Sequence, residues 1–305
     1  MLILTKEDIA AVCSMEDAIE AVKEAFIVHS EGSVKVPLRI NIRSDKYNGN
    51  MLFMPAYCEK KDAASLKIVS VYPDNKEKNL PSTPAQVLLI DPTTGIVLSI
   101  MDGTYITALR TGAASGAAFS VLAKSECKTG ALIGTGTQAA MQLEAMIVSK
   151  NPKLVKVYSR NKDRLNNFVK NMSTKFKSKA VELVACESAD TAVKDADILI
   201  TATNSDRPLF SVESCKPGLT ISAVGSFTRQ MQELDTTVLK KASKIYYDDK
   251  EAMLEEAGEI IKALENRDID EKKFSGSLGE ALVGKIKLRE NDEEIIVFKS
   301  VGLGT

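Results

Sequence analysis

The pattern of apolar and polar residues predicts helices at the N-terminus and strands after them. Residues 1–30 have a helical pattern. Two residue pairs fit the capping box that begins a helix, with Asp in place of Glu: Thr5 with Asp8, and Ser14 with Asp17. Four short apolar runs follow, MLFMPAY, LKIVSVYP, AQVLLID and IVLSIMDG, and the turn sequence DPTTG separates the last two as in a hairpin. This part of the chain predicts an α+β domain on an antiparallel or mixed sheet.

Farther along the chain, short apolar runs alternate with helical runs. Strands are predicted at 130–133, 154–158, 181–185, 197–201, 219–224 and 244–247, and helices at 137–149, 162–172, 189–195, 235–241 and 249–263. Such alternation gives a parallel sheet covered by helices on both faces. We therefore predict the α/β class, a Rossmann-type doubly wound parallel sheet plus the α+β domain. A helix rich in small residues, 111–124, precedes it and can pack closely against a sheet or another helix.

Composition narrows the function without assigning it. A chain of 305 residues is comfortable for two domains, and a net charge of -1 gives no indication of a nucleic-acid or membrane partner. The basic run at 170–179 is interpreted as a solvated loop. The N-terminus lacks the basic and apolar regions of a signal peptide, and no segment is long enough to span a membrane.

The cysteines and the single histidine exclude several chemistries. The five cysteines form no CxxC pair, so we predict neither a metal site nor a redox disulfide, and we expect a reducing cytoplasm. His29 is predicted on a helix surface. A mechanism without a histidine acid or base counts against a 2-hydroxyacid dehydrogenase, because reducing a neutral ketone needs a proton donor tuned near neutral pH.

A glycine turn opens the alternating region. The segment Gly134-Thr135-Gly136-Thr137-Gln138-Ala139 fits G-x-G-x-x-A, follows an apolar strand and precedes a helix. In this motif the glycines allow a tight turn and a close approach to a pyrophosphate, and the small third residue lets helix and strand pack closely. The helix N-terminus then offers free N–H groups to the phosphates. We predict that Gly134, Gly136, Thr137, Gln138 and Ala139 bind a dinucleotide.

The end of the next strand bears on the choice of cofactor. NAD enzymes normally place Asp or Glu there, bonded to the ribose 2′-hydroxyl. This chain has Ser159 followed by Arg160, and a guanidinium can bind a 2′-phosphate. We therefore predict NADP(H) as the preferred cofactor, with NAD(H) left open; the alternative is that Arg160 points into solvent.

Three basic residues stand among apolar or small neighbours in the N-terminal part. Arg39 lies in VPLRINI, Lys67 in ASLKIVSVYP, and Arg110 at a helix entrance in ITALRTGAAS. A charged side chain in such a place is expected either to form an ion pair or to bind a ligand. Taken singly, each fits a surface position or a structural ion pair; the three together indicate an anion site for a substrate carboxylate.

With these residues in view, the sequence resembles the ornithine cyclodeaminase/μ-crystallin family. The resemblance is carried, in order, by PLRINI, MPAY, LKIVSVYPDN, MDGTYITALRTGAASGAA, LIGTGTQA, ISAVGSFTRQMQELD and VFKSVG, which cover nearly the whole chain. One departure is that this sequence ends at SVGLGT, where family members continue into a further helix.

The resemblance implies a domain organisation and a set of site residues. It implies a substrate-binding, dimer-forming domain at 1–112, to which a segment at about 286–305 returns, and a Rossmann domain at 113–285. A homodimer and a small imino- or amino-acid substrate are implied as partners. The implied carboxylate-binding and catalytic residues are Arg39, Lys67 and Arg110. The residues implied to line the cofactor, besides the glycine turn, are Thr111, Ser159, Arg160, Asn161, Thr201, Thr203, Val224 and Gly225.

The family contains several chemistries, and two positions help to choose among them. Cyclodeaminases carry an acid before the LMP-like segment and another after the Ala-Val-Gly strand end, and archaeal-type alanine dehydrogenases carry the second. This chain has Leu52 and Phe227 there, which can neither accept a proton nor hold an ammonium. Both are predicted to form an apolar wall for the substrate ring.

We therefore expect an NADPH-dependent reductase of a cyclic ketimine carboxylate, 1-pyrroline-2-carboxylate or 1-piperideine-2-carboxylate. Arg39 and Arg110 would clamp the carboxylate, and Lys67 would either join them or deliver the proton. The alternatives are ornithine cyclodeamination with NAD, if Glu233 or Asp235 swings in, reductive amination to alanine or an N-substituted amino acid, and a binding protein without turnover.

Overall fold

Two sheets organise the chain, each in its own structural unit. The structure is a computed structural model and describes residues 1–37 and 39–302. The first unit is Met1–Arg110, and the second runs from Thr111 to the end of the described residues. The predicted domain boundary, after residue 112, and the unit boundary, after Arg110, differ by two residues.

The first unit contains two helices, seven strands and the start of a third helix. In chain order these are β1 (Leu2–Leu4), α1 (Lys6–Val12), α2 (Met15–Ser30), β2 (Val34–Lys35), β3 (Ile40–Ser44), β4 (Gly49–Cys58), β5 (Ala63–Val71), β6 (Ala85–Ile90), β7 (Val97–Asp102) and α3 (Gly103–Leu122). Both predicted capping boxes are present, at Thr5 and Ser14, and they fix where α1 and α2 begin.

The strands of the first unit form a mixed sheet, as predicted. The order is β1-β7-β6-β5-β4-β2, with β3 also paired to β4. Only β1 pairs in parallel, with β7, and the other pairs are antiparallel. The DPTTG turn joins β6 to β7, and the Asp91 carboxylate accepts hydrogen bonds from Thr93 and Thr94 within it.

The second unit alternates strands and helices. Its elements after α3 are β8 (Thr129–Ile133), α4 (Ala139–Lys150), β9 (Leu154–Tyr158), α5 (Lys162–Lys175), β10 (Glu182–Ala185), α6 (Ala189–Val193), β11 (Ile198–Thr201), β12 (Thr220–Ala223), α7 (Thr236–Lys241), β13 (Lys244–Tyr247), α8 (Lys250–Glu256), α9 (Gly258–Glu265), β14 (Phe274–Ser277), α10 (Leu278–Leu282) and β15 (Ile296–Lys299).

The sheet of the second unit is parallel throughout and confirms the predicted fold class. Its order is β10-β9-β8-β11-β12-β15-β13-β14. The chain winds outward from β8 through β9 to β10 and then returns to β11 on the other side of β8. Ligands of such sheets bind outside the carboxyl ends of the strands at this reversal. The loops after β8, β9, β11 and β12 are therefore the place to look for a cofactor site.

Two helix predictions were wrong. Helix α3 begins at Gly103 rather than at Thr111, so Arg110 lies two turns inside the helix and not at its entrance. The helix predicted at 249–263 is two helices separated at Ala257. There the start of α9 approaches the backbone of residues 228–231 so closely that a Cβ on Gly258 would collide with Met231 O. A single straight helix could not make this approach.

The C-terminal segment also differs from the prediction. Its described part, 286–302, belongs to the second unit, and β15 is an interior strand between β12 and β13. All four residues of β15 are buried, as expected for a strand covered on both faces. Residues 303–305 of the predicted returning segment lie outside the described residues.

Candidate active site

The sheet register brings two of the three predicted basic residues together. Lys67 on β5 pairs with Met54 on β4, and β4 pairs with β3 so that Phe53 lies opposite Ile40. Extending that register by one position sets Arg39 opposite Met54. Arg39 and Lys67 therefore flank Met54 on one sheet face, because directly paired residues share a face.

Electrostatics links Arg110 to the same cluster. Lys67 is partly buried, and burial lowers the pKa of its ammonium to about 6, with the charges of Arg110 and then Arg39 acting in the same direction. The structure thus places Arg39 and Arg110 both within electrostatic reach of Lys67, in the first unit. The group is called the cationic cluster below. An anion bound among the three charges would offset their repulsion and favour the protonated form of Lys67.

Of the two predicted apolar wall residues, only Leu52 belongs to the first unit. Leu52 stands two positions from Met54 on β4 and pairs with Val69, so it lies on the same sheet face as Lys67. Phe227 belongs to the second unit, in the loop after β12, and 39% of its surface is exposed. A large aromatic ring left open in a strand-end loop is free to contact a ligand.

The glycine turn has the geometry that a dinucleotide loop requires. Gly134 has a φ of +111°, and a Cβ there would collide with Ala202 O in the loop after β11. A Cβ on Gly136 would meet nothing within 4 Å, so the space above this residue is open. Thr137 is exposed beside it, and Ala139 begins α4 with no exposed surface.

Two buried polar atoms in this turn lack partners. Thr135 Oγ1 and Gln138 Oε1 accept or donate no hydrogen bond within the part of the chain that the structure describes. Gln138 is the N-cap of α4 but makes no side-chain cap bond. Buried polar groups are nearly always paired, so these atoms and the uncapped helix end fit a bound group with phosphate oxygens and hydroxyls.

The loop after β9 shows no carboxylate at the position that would meet a ribose. Ser159 is partly buried and Arg160 is exposed. Asn161 Oδ1 accepts a hydrogen bond of 2.8 Å from Arg164 N and caps α5. The Asn161 side-chain oxygen is therefore used to cap the helix, and the Arg160 side chain is exposed in the same loop.

The loops after β11 and β12 are joined by a residue that was not predicted as part of the site. Glu233 is fully buried, and its carboxylate accepts hydrogen bonds from Thr201 Oγ1, Thr203 N, Thr203 Oγ1 and Gly225 N at 2.6–2.8 Å. The hydroxyls of Thr201 and Thr203 are thus used inside the protein, and Thr201 has no exposed surface. The resemblance implied that Thr201 and Thr203 line the cofactor; a hydroxyl that donates to Glu233 can still accept a hydrogen bond, but it has no second proton to donate.

The remaining predicted cofactor residues surround these loops. Val224 N donates to Thr201 O at 3.0 Å, which continues the pairing of β12 with β11 beyond its last residue. Thr111 is nearly buried in α3, and its carbonyl accepts a bond from Gln142 Nε2 at 3.0 Å. A Cβ on Gly112, the next residue, would lie 2.6 Å from Met141 O, so the small residues of α3 do permit a close helix–helix approach to α4.

Within residues 1–37 and 39–302, no helix has the length and apolar character to cross a membrane. In the same residues, no three His, Cys, Asp or Glu side chains are grouped so that they could hold a metal ion.

Comparison with known proteins agrees with the geometry. A family model described as ornithine cyclodeaminase/mu-crystallin family matches residues 1–305. The chain is 34% identical over 303 residues to a Delta(1)-pyrroline-2-carboxylate reductase of Bacillus cereus, covering 99% of this chain and 92% of that protein. It is 37% identical over 302 residues to an alanine dehydrogenase of Archaeoglobus fulgidus, covering 99% and 90%.

A solved structure is similar over the whole chain. It is the Delta(1)-pyrroline-2-carboxylate reductase of Thermococcus litoralis in complex with NADH and L-proline, with a TM-score of 0.94 and 41% identity. The similarity covers 100% of this chain and 93% of that one.

Proposed function

The chain belongs to the ornithine cyclodeaminase/mu-crystallin family, and from that premise we propose that it is a nicotinamide-dependent reductase of cyclic ketimine carboxylates. The substrate would be 1-pyrroline-2-carboxylate or 1-piperideine-2-carboxylate, and the product L-proline or L-pipecolate. The observation that carries the proposal is the cationic cluster, with Leu52 on the same sheet face at the position where a cyclodeaminase is expected to carry an acid. The pyrroline-2-carboxylate reductases of B. cereus and T. litoralis support it.

The chemistry asks little of the protein beyond binding and one proton. Arg39 and Arg110 hold the substrate carboxylate, because guanidinium groups pair with carboxylates through strong charge-assisted hydrogen bonds. Lys67 gives a proton to the ring nitrogen, and the resulting iminium carbon becomes the acceptor. The reduced nicotinamide, when bound, supplies the hydride. An amine with a pKa of about 6 in the free site is poised to exchange a proton near neutral pH.

The structure gives a reason to rank cyclodeamination lower. That reading needed Glu233 or Asp235 to move into the site. Glu233 is held by four hydrogen bonds without exposed surface. Asp235 caps α7 and accepts bonds from Thr237 N and Thr237 Oγ1. Both carboxylates are committed to the fold, so neither is available to take a proton from a substrate ammonium.

The proposal is tested by a substrate panel that follows nicotinamide absorbance. We expect rapid reduction of a cyclic ketimine carboxylate, and no ammonia from L-ornithine with NAD. The same panel includes pyruvate with ammonium and NADH, because the A. fulgidus alanine dehydrogenase is also a relative. Faster turnover of pyruvate than of either ketimine would replace our proposal by alanine dehydrogenation. Binding of NADPH without turnover of any substrate would favour a binding protein.

We further propose that NADPH is preferred over NADH. The support is the loop after β9, where Ser159 and the exposed Arg160 replace a carboxylate. The T. litoralis relative is in complex with NADH, which weighs the other way. We expect Arg160→Ala to lower kcat/KM for NADPH by about tenfold, the value of one charge-assisted contact of about 1.4 kcal/mol, and to leave NADH unchanged. Lys170→Ala, an exposed cation farther along α5, is the control. An equal effect on both cofactors would contradict the role given to Arg160.

We propose a homodimer built on the first unit. The face of its sheet opposite Lys67 carries many large apolar side chains, none of them buried: Ile3, Ile40, Ile42, Phe53, Leu66, Ile68, Leu88 and Ile100. Gln86 and Asp102 lie on the same face. Exposed fractions reach 72% at Ile3, 59% at Ile40 and 48% at Ile42. A contiguous apolar face of this kind is typical of a subunit interface.

We also retain two proposals from the sequence. The first domain would bind substrate and the second the dinucleotide, with a boundary near residue 112. A cytoplasmic location fits the five cysteines, all of which are free thiols.

A further inference from the structure

A buried lysine at the end of β15 binds the loop that follows β12. Lys299 has no exposed surface, and its Nζ donates hydrogen bonds to Ser226 O at 2.7 Å and to Ala223 O at 3.3 Å. The same Nζ lies 3.0 Å from Glu259 Oε1 in the first turn of α9. The ammonium thus donates two hydrogen bonds, both to carbonyls at the end of β12 and in the loop after it, and forms an ion pair with Glu259.

Glu233 binds the same loop from another side. One of its oxygens accepts from Gly225 N, between the two carbonyls that Lys299 holds, and from Thr201 Oγ1. Its other oxygen accepts from Thr203 in the loop after β11. Burial raises the pKa of the Glu233 carboxyl, and the charge of Lys299 opposes that shift. Glu233, Lys299 and Glu259 therefore form one buried acid–base–acid group, called the buried network below.

Stability alone does not explain this group. The cost of desolvating a buried ion pair offsets much of its electrostatic attraction. Apolar residues of similar size often stabilise a fold equally well. A buried charged side chain can instead fix the position of the backbone, because each of its hydrogen bonds holds one backbone atom at a set distance. The network holds Ala223 O, Gly225 N and Ser226 O, which leaves the loop that carries Phe227 little freedom.

The position of the held loops points to one half of the cofactor. Strand order places β9, β8, β11 and β12 side by side. If the adenosine ribose meets the loop after β9 and the pyrophosphate meets the glycine turn after β8, the other half must cross the loops after β11 and β12. Contacts link these loops in series, since a Cβ on Gly134 would collide with Ala202 O and one on Gly225 with Thr203 O.

We propose that Glu233, Lys299 and Glu259 are positioning residues that fix the two strand-end loops supporting the nicotinamide half of the cofactor. None of the three touches cofactor or substrate. Glu233 and Lys299 act through the backbone atoms they bind, and Glu259 acts through its ion pair with Lys299. The expected change in kcat rests on the proposed function, whereas the expected change in cofactor affinity does not.

The test separates the two halves of the cofactor. The variants are Glu233→Gln, which keeps the side-chain shape, and the double variant Lys299→Met with Glu259→Gln, which removes the pair without leaving a buried charge. For each, calorimetry measures binding of 2′,5′-ADP, the adenine half without the nicotinamide-side ribose, and fluorescence measures binding of NADPH. Steady-state kinetics with 1-pyrroline-2-carboxylate gives kcat and KM.

The control is a buried carboxylate at the amino-terminal ends of strands in the same sheet, opposite the strand ends that carry the cofactor loops. Asp197 accepts from Lys128 N, Thr129 N and Lys124 Nζ and pairs with Lys216, so it too joins neighbouring strands by four contacts. It precedes β11 and lies at the amino ends of β8 and β11, away from the cofactor loops. Asp197→Asn should lower the melting temperature and leave kcat unchanged in the folded protein.

The expected result is selective loss. Binding of 2′,5′-ADP should stay within twofold of wild type in both network variants, whereas kcat should fall by at least about tenfold, since an ångström of misplacement can cost about 10²-fold. NADPH affinity should fall more than that of the adenine half. Equal loss of both affinities, or unchanged kcat in Glu233→Gln, would overturn the positioning role. If wild type reduces no ketimine, the proposed function fails, and the two binding measurements still decide this inference.

Discussion

Lys67 shows how a residue acquires a function from its surroundings. A lysine ammonium on an exposed strand would keep its charge at neutral pH, but burial and the neighbouring Arg110 and Arg39 lower its pKa to about 6. In the free site at pH 7.5 it is therefore mostly a neutral amine. A substrate carboxylate brings a negative charge between the two guanidinium groups, which raises the pKa of Lys67 again. Binding of the substrate and protonation of the acid are thereby coupled.

This coupling predicts proton uptake when a carboxylate binds. We expect binding of 2-furoate, a planar ring carboxylate without an amine, to take up nearly one proton per site at pH 7.5. Uptake should fall to about half a proton near pH 6, the pKa of Lys67 in the free protein, and vanish below about pH 5. The measurement is calorimetry in two buffers of different ionisation enthalpy, and Lys67→Met should show no uptake. Uptake that persists in Lys67→Met would assign the proton to another group.

For single residues, the sequence was informative where a charged residue stood among apolar neighbours. Three cations among apolar runs indicated the anion site, because charges are not buried without a reason. Glu233 gave no such conflict, since its segment, QELDTT, also fits a polar loop before a helix. Only the fold reveals that the chain turns back there, so that the Glu233 carboxylate meets the ends of two strands.

At the scale of the structural elements, the strand-end loops contain some glycines that are closely packed and others that face open space. Gly136 and Gly225 both lie in strand-end loops of the parallel sheet, after β8 and after β12, but their surroundings differ. A Cβ on Gly225 would collide with Thr203 O and with the Glu233 carboxylate, whereas one on Gly136 would meet only open space. One glycine is required by the packing of the protein, and the other leaves room for a ligand.

This contrast predicts different failures for two alanine variants. Gly225→Ala should lower the free energy of unfolding by about 1–3 kcal/mol, because the added methyl overpacks a fixed loop. Gly136→Ala should leave stability within about 0.5 kcal/mol and weaken NADPH binding at least about tenfold, since the methyl would occupy the space of a phosphate. Denaturant titration and fluorescence binding measure the two effects. Similar stabilities of the two variants would mean that the loop after β12 can shift to accept the added methyl group.

The elements that were predicted well are those with a strong local pattern. Capped helices α1 and α2, the β6–β7 hairpin and the strands of the parallel sheet follow from capping boxes, turn residues and apolar runs. Helix α3 was started eight residues late, because the segment MDGTYITALR carries strand-forming and helix-forming residues side by side. Strand β15 was assigned to the wrong domain, since nothing in IVFK states which sheet it joins. Such choices depend on tertiary contacts.

For the whole molecule, the apolar face of the first sheet predicts self-association. We expect wild type to have twice the 33.1 kDa mass of the chain in light scattering after size exclusion. Ile40→Asp with Ile42→Asp should give the mass of one chain, because two carboxylates cannot be buried unpaired in an apolar interface. Val184→Asp, an exposed apolar position on the edge strand β10, is the matched control and should stay dimeric. A monomeric wild type at micromolar concentration would contradict the proposed interface.

The most direct test of the account follows the transferred hydrogen. The enzyme is incubated with 1-pyrroline-2-carboxylate and NADPH that carries deuterium at the reacting position, and the product is analysed by chiral chromatography and mass spectrometry. We predict L-proline with one deuterium on the ring carbon that bears the carboxylate, formed by wild type and at least about 10²-fold more slowly by Lys67→Met, the loss typical of removing a general acid. Proline without deuterium, or turnover unaffected by Lys67→Met, would contradict the assignment of ketimine reduction to the cationic cluster.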